Sequence, residues 1–276
     1  MDIRMIAVDL DGTLLTSDQI VSGESYAAVE EATAQGIEVV ISTGRSIDEC
    51  REVLRQLPKL HYANCCTGAY LADLYAKKPL CCNSMTAEDG RLLFSILEQF
   101  DCHVNFFADG VIHNNQWHMD HFTHYFPERM RGLFDSAHVY EPDLAAFISG
   151  FTGQVNKIYI AFPSMEERNR AYAAVKDLPY YITGAGFVDF EIIAQGVDKT
   201  TGLRNLAEYL GLSSAQVAVI GDSENDLPAL RYSGLPIAVG NAADSVKAEA
   251  TWVAPDNDHE GVAWAIRRIL RENKAV

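Results

Sequence analysis

Ile3-Arg4-Met5-Ile6-Ala7-Val8-Asp9-Leu10-Asp11-Gly12-Thr13 is the stretch on which the reading of this chain turns. Ile3 to Leu10 is a short, mostly apolar run closed by Asp-Gly, which reads as a buried strand ending in a turn. Asp9 and Asp11 stand two residues apart just beyond that strand, where open α/β sheets place their ligands. Gly12 permits the turn that lets both carboxylates approach one point. A calcium loop opening with Asp-x-Asp fails on register. Its glycine belongs at the sixth position rather than the fourth, and Ile20 occupies the place of the bidentate glutamate. Taken alone, the motif is equally well read as an acidic turn.

The sequence on either side supplies the context. Ser22 to Gly36 has apolar residues at helical spacing, with Ser22 as N-cap and Gly36 at the end. Ile37 to Ser42 reads as a second buried strand, Ser46 to Gln56 as a helix closed by Leu57-Pro58, and Tyr62 to Cys66 as a third strand. This alternation predicts a parallel sheet with crossover helices. The rhythm then breaks. Thr86 to Phe100 reads as a helix, and Val104–Phe107 and Val111–Asn114 as a hairpin around Ala108-Asp109-Gly110. Lys157–Phe162 reads as a strand, Met165–Lys176 as a helix and Phe187–Ile193 as a strand. Adjacent strands without intervening helices predict an α+β insertion. From Asp198 the α/β pattern resumes, with a helix from Lys199 to Leu210 and a very apolar strand at Ala218–Ile220. A helix beginning at Asp226, short strands at Leu235–Val239 and Thr251–Val253, and a final helix from Gly261 to Glu272 complete it. The expected architecture is α/β, a parallel-sheet core from residues 1–82 and 191–276 with an inserted α+β cap over 83–190.

Three further places fall where this architecture puts strand ends. Ser42-Thr43-Gly44-Arg45 offers a hydroxyl and backbone N–H groups at a helix start, a ready phosphate site, although an N-cap alone explains it equally. Lys199 opens a helix against the helix dipole, unfavourable unless something anionic lies there. Gly221-Asp222-Ser223-Glu224-Asn225-Asp226 follows a strand, and its carboxylates would repel one another strongly without a cation. All four places converge on one crevice.

Asp-x-Asp-Gly-Thr, Thr-Gly-Arg, Lys and Gly-Asp-x-x-Asn-Asp, in that order, resemble the haloacid dehalogenase superfamily. The length and the insertion resemble its Cof-type phosphatases with a type-II (IIB) cap. The resemblance spans the chain and implies a Rossmann-like core, a mobile cap and Mg²⁺-dependent hydrolysis of phosphate monoesters. Carried over, it makes Asp9 the nucleophile and Asp11 the general acid and base. Asp9, the Asp11 main-chain carbonyl and Asp222 become the Mg²⁺ ligands. Thr43, Gly44, Lys199 and Asn225 become phosphate contacts, with Thr13, Arg45 and Asp226 in support. Two positions depart from the family pattern: Thr67-Gly68 replaces an Asn-Gly pair, and Thr200 follows the lysine where glycine is common. The expected substrate is a small phosphorylated metabolite, most plausibly a sugar phosphate. A phosphotransferase or phosphomutase, or an idle binding module of the same fold, are the alternatives.

The formal net charge of −16 argues against a nucleic-acid partner. No run reaches the length of a membrane span and the first apolar run is too short for a signal peptide, so the expectation is a cytoplasmic monomer or weak homo-oligomer. The cysteines, Cys50, Cys65, Cys66, Cys81, Cys82 and Cys102, read as reduced thiols. His118, His121 and His124 lie three residues apart, which drifts around a helix and reads as a polar face rather than a metal site.

Overall fold

Met5–Val8 forms β1, four fully buried apolar residues, in a computed structural model that describes residues 1–128, 131, 137–184 and 188–274. Helix α1 (Gly23–Ala34) follows, its first turn capped by the Ser22 hydroxyl accepting from Ser25 N–H at 3.1 Å. Strand β2 (Glu38–Ser42) leads to α2, which is Arg51–Gln56 only. The helix expected from Ser46 starts later. Glu49 N–H donates to the Ser46 hydroxyl and Ser46 N–H to the Glu49 carboxylate, closing a separate turn ahead of α2. β3 is Tyr62–Cys65, and β4 (Tyr70–Asp73) returns antiparallel to it, followed by β5 (Lys78–Cys82). The sequence reading missed both, because four- and five-residue strands after a turn carry too little alternation to register.

Next come α3 (Ala87–Leu97), β6 (His103–Ala108), β7 (Val111–Asn115), α4 (Gln116–Asp120), β8 (His138–Glu141), α5 (Leu144–Gly150), β9 (Val155–Ala161), α6 (Met165–Val175), β10 (Tyr180–Thr183) and β11 (Asp189–Ala194). Phe187, where the strand now seen as β11 was expected to begin, lies outside the described residues. The chain closes with α7 (Lys199–Tyr209), β12 (Val217–Gly221), α8 (Leu227–Tyr232), β13 (Leu235–Ala238), α9 (Asp244–Glu249), β14 (Trp252–Val253) and α10 (Gly261–Lys274). Asp226, expected to open a helix, ends a short 3₁₀ turn from Glu224 and is the N-cap of α8.

The chain divides into two units. One comprises residues 1–45, 50–81 and 198–276; the other comprises 46–49 and 82–197. The first is a Rossmann-like α/β unit whose sheet runs β14-β13-β12-β1-β2-β3-β4-β5. β1 lies between β12 and β2, parallel to both, with Val8 opposite Ile220 on one side and Ile41 on the other. Three strand ends are therefore level, which is what sets Asp9, Thr43 and Asp222 at one edge of the sheet. Helix α10 packs on α1 and presents Val262, Ile266, Ile269 and Leu270 to the core.

The second unit is built on a six-stranded sheet, β10-β11-β9-β6-β7-β8, antiparallel except for β7 with β8. Its hairpin turns on Asp109 and Gly110, both at positive φ, as a tight two-residue connection demands. The unit runs on past residue 190 because β11 pairs with both β9 and β10. Phe106, Ile158, Ile160 and Phe190 pack with Leu93 and Leu97 of α3 as its apolar core. Here the histidines have protein partners: His124 bonds Asp101 at 2.7 Å, His113 bonds Glu141 at 2.8 Å, and His121 stacks on Trp117. All six cysteines are free thiols. Among the described residues, no helix is long and apolar enough to cross a membrane.

Candidate active site

The chain leaves β1 through a wide turn in which Leu14 N–H reaches back to Asp9 carbonyl and Leu15 N–H to Leu10 carbonyl, each five residues earlier. Gly12 sits at φ +75°, and a Cβ there would fall 2.7 Å from Asp222 Oδ2. Only glycine lets this loop close on the carboxylate from β12. Thr13 then donates its hydroxyl to Asp222 Oδ1 at 3.2 Å, and Asn241, just past β13, donates to the Gly12 carbonyl at 2.7 Å.

Lys199 is the centre of the cluster. Its ammonium donates to Asp9 Oδ1 at 2.7 Å and to Asp226 Oδ1 at 2.6 Å, and it is only 1% exposed. The second Asp226 oxygen accepts from the main-chain N–H groups of Asp222 and Ser223. Asp226 is thereby saturated by protein donors and serves to hold Lys199. The dipole penalty for a lysine at a helix start is met locally. Asp198 caps α7, accepting from Thr200 N–H at 2.8 Å, while the Thr201 hydroxyl accepts from Asp198 N–H.

Charges are unequal here. Oxygens of Asp9, Asp222 and Asp226 lie within 4.8 Å of one another around a single ammonium. Burial pushes the Asp9 carboxyl up to about 7, with Lys199 opposing the shift and Asp226 and Asp222 adding to it. Burial and the neighbouring Asp226 also raise Asp222. Burial alone would lower Lys199, but Asp9 and Asp226 outweigh it and hold its pKa above the ordinary lysine value. Asp9 Oδ2 and Asp222 Oδ2 accept no hydrogen bond from a protein donor among the described residues. Free carboxylate oxygens with surplus negative charge form a donor set that suits a hard divalent cation.

Asp11 points elsewhere. Arg45 donates from Nε to Asp11 Oδ2 at 2.9 Å and from Nη2 to both Asp11 Oδ1 and Gln19 Oε1. The Asp11 carboxylate is therefore outside the Asp9–Asp222–Asp226 group. Thr43 is buried at the end of β2, its hydroxyl accepting from Arg45 N–H at 3.1 Å. Gly44 faces Thr67: a Cβ on Gly44 would be 3.5 Å from the Thr67 hydroxyl. Asn225 is exposed, and its side chain accepts from Ser223 Oγ at 2.8 Å rather than joining the lysine. Geometry thus gathers Asp9, Thr13, Lys199, Asp222 and Asp226 by direct contacts, pairs Asp11 with Arg45, and leaves Asn225 at the rim. Sequence reasoning missed Gln19, Asn64 and Asn241. Asn241 follows β13 by three residues, so the strand-end rule applied to that strand would have found it, whereas Asn64 lies inside β3 and carries no such mark.

Carboxylates disposed about one buried lysine, at the carboxyl edge of a parallel sheet, define a site for chemistry on anionic substrates. The chain belongs to the family of haloacid dehalogenase-like hydrolases, whose profile matches residues 6–266. Within that family it is a phosphatase. It is similar to 5-amino-6-(5-phospho-D-ribitylamino)uracil phosphatase YcsE of Bacillus subtilis, 30% identical over 272 residues, which cover 97% of this chain and 96% of that relative. In fold it matches a haloacid dehalogenase-like hydrolase from Bacteroides thetaiotaomicron with a TM-score of 0.83 at 23% identity, over 97% of this chain and 99% of the other. It also matches the HAD subclass IIB sugar phosphatase BT4131 with a TM-score of 0.76 at 21% identity, over 96% and 98% of the two chains.

Proposed function

We propose that the protein hydrolyses phosphate monoesters of small metabolites, sugar phosphates foremost, with Mg²⁺ bound and through a phosphoryl group carried on Asp9. The observation that supports this most is the asymmetry of Asp9. One oxygen is fixed by Lys199 at 2.7 Å, and the other has no protein donor among the described residues. A carboxylate so oriented is a nucleophile with one lone-pair face presented.

Asp9 attacks phosphorus as the bond to the leaving oxygen breaks, and Asp11 gives that oxygen its proton. A water molecule then loses a proton to Asp11 and attacks phosphorus, the bond to Asp9 breaks, and inorganic phosphate leaves. For this work the Asp11 side chain rotates away from Arg45, with which it is paired in this structure. Lys199, the Thr43 hydroxyl and Gly44 hold the phosphoryl oxygens, and Asn225 contacts them from the rim. Asp9, Asp222 and the Asp11 carbonyl would hold Mg²⁺, all of them oxygen donors. Bound there, the ion supplies the charge neutralisation that lets an anionic nucleophile meet an anionic phosphate.

The second unit, residues 82–197, as the inserted cap, confers the choice of leaving group. The sugar-phosphate reading draws support from the phosphoribityl chain in the name of the B. subtilis relative and from the name of the sugar phosphatase. The same reading has the protein acting in the cytoplasm as a monomer or weak homo-oligomer, without nucleic acid. A panel of phosphorylated metabolites, assayed with Mg²⁺ and again after chelation, tests it. Sugar phosphates should rank first by kcat/KM, with turnover lost reversibly on chelation. Equal rates with and without chelator would remove the metal from the account, and a transferred ester in excess alcohol would make the protein a phosphotransferase.

A further inference from the structure

Asn64, the third residue of β3, is completely buried, yet it hydrogen-bonds neither Asp9 nor the Lys199 ammonium. Its side-chain N–H groups reach in two directions. One donates to the Ser42 hydroxyl at 3.0 Å, at the end of β2 and directly before Thr43. The other donates to the main-chain carbonyl of Lys199 at 2.8 Å, in the first turn of α7. One amide therefore ties the strand that carries the phosphate loop to the helix that carries the lysine.

Glycines make that tie possible. A Cβ on Gly202, one turn along α7, would lie 1.9 Å from Asn64 Oδ1. The amide lies so close to this turn of the helix that no other residue at 202 leaves room for it. Gly68, at φ +93°, approaches the same helix end from the next loop, where a Cβ would fall 1.9 Å from the Asp198 carbonyl. That loop is itself anchored to the phosphate loop, with Thr67 N–H donating to the Thr43 carbonyl and Cys66 N–H to the Arg45 carbonyl. Cys66 and Thr67 both hold positive φ to do so, a conformation that disfavours a β-branched residue such as Thr67. Glycine in the middle of α7 weakens the helix relative to alanine. Its presence at 202 is accounted for by the amide it admits.

We propose that Asn64, seated on Gly202, is a positioning residue: it braces the start of α7 against the end of β2 and so sets the place of the Lys199 ammonium relative to Thr43 and Asp9. The proposal rests on the phosphatase reading above, in which those groups act together on one phosphoryl group. Removing the amide leaves every group that touches substrate in the chain but frees the helix start to shift, and a displacement of about 1 Å in such a site costs on the order of 100-fold in rate.

Three variants test it: Asn64→Ala, Gly202→Ala and the double variant, each assayed with p-nitrophenyl phosphate and Mg²⁺ and melted in parallel. Both single variants should lose about 100-fold in kcat/KM, the larger part in kcat. In the double variant the new methyl at 202 fills the space the amide leaves, so the melting midpoint should recover while kcat stays low. Recovery of kcat together with the midpoint would reduce Asn64 to a packing residue and overturn the proposal. A crystal structure of Asn64→Ala decides the matter independently of activity. The Lys199–Asp9 contact should lengthen beyond hydrogen-bonding reach, whereas an unchanged contact would overturn the brace. An inactive parent enzyme would count against the phosphatase reading alone, since the crystallographic comparison still decides the brace.

Discussion

Each unit of this protein buries a lysine against carboxylates, and the two do it differently. In the second unit Lys157 pairs with Glu191 at 2.6 Å, with the ammonium also 4.6 Å from the centre of the Phe107 ring. Tyr159 donates to Asp189 at 3.0 Å on a neighbouring strand. In the first unit Lys199 faces Asp9 and Asp226, with Asp222 in the same group. In the second unit the ammonium meets a carboxylate of the protein itself. In the first unit the cluster carries surplus negative charge in a buried place, a state that costs several kcal/mol unless a cation enters. The difference separates a pair that contributes to a fold from a cluster that waits for reactants.

The largest expected effect comes from removing the surplus at Asp9, the member proposed to react. Asp9→Asn should lower kcat by at least about 10⁴-fold, the scale of losing a covalent nucleophile, while the melting midpoint stays near that of the parent. A variant keeping near-normal kcat would place the nucleophile elsewhere. Lys199→Met comes next. It should cost about 10²–10³-fold in kcat, measured in steady state, and also destabilise the protein, because Asp9 and Asp226 lose the one ammonium that pairs them.

A smaller effect should come from pH and cation together. The Asp9 carboxyl in the folded protein is pushed up to about 7 from the ordinary value of 3.8, and burial also raises Asp222. Between those values the folded state holds more protons than the unfolded one. Stability drawn from protonated Asp9 is thus present at low pH and lost as pH rises towards about 7. Metal-free protein should therefore melt at a lower temperature at pH 8 than at pH 5.5, as far as these groups decide it. Mg²⁺ at about 100 times its Kd should restore about 2.7 kcal/mol, or about 5–10 °C, at the higher pH. A midpoint indifferent to Mg²⁺ at pH 8 would contradict the surplus-charge account.

In the second unit the expected effect is on stability alone. Lys157→Met alone should cost about 3 kcal/mol, the low end for breaking a buried pair, by leaving the half-buried Glu191 without this partner. Lys157→Met with Glu191→Gln should return to within about 1 kcal/mol of the parent in denaturant melts, since the complete pair is removed at once. If the double variant stayed as unstable as the single, the contrast between the two lysines would collapse.

The same contrast explains what the sequence makes legible. Asp9, Thr43, Lys199 and Asp222 stand out because each follows a buried strand or opens a helix, and a parallel sheet aligns such places whatever the loops contain. Lys157 and Glu191 lie inside strands, where a charged residue reads as a solvent-facing position, and only the pairing of β9 with β11 makes them partners. Asn64 and Asn241 are single amides with no periodicity to mark them, and their roles depend on Gly202 and Gly12, distant in sequence. The short elements β4, β8, β10 and α5 escaped because four to seven residues carry too little pattern to separate strand, helix and loop. Ser46 to Glu49 looked helical because a serine three residues before a glutamate is a helix-start signal, and here that signal closes an isolated turn.

The central claim is that Asp9 carries the phosphoryl group. Protein turning over p-nitrophenyl phosphate with Mg²⁺, quenched in acid within milliseconds and digested, should yield by mass spectrometry a peptide containing Asp9 with one added phosphoryl group, absent from Asp9→Asn. Robust turnover with that peptide unmodified at every quench time, and phosphate found on another side chain or on none, would contradict it.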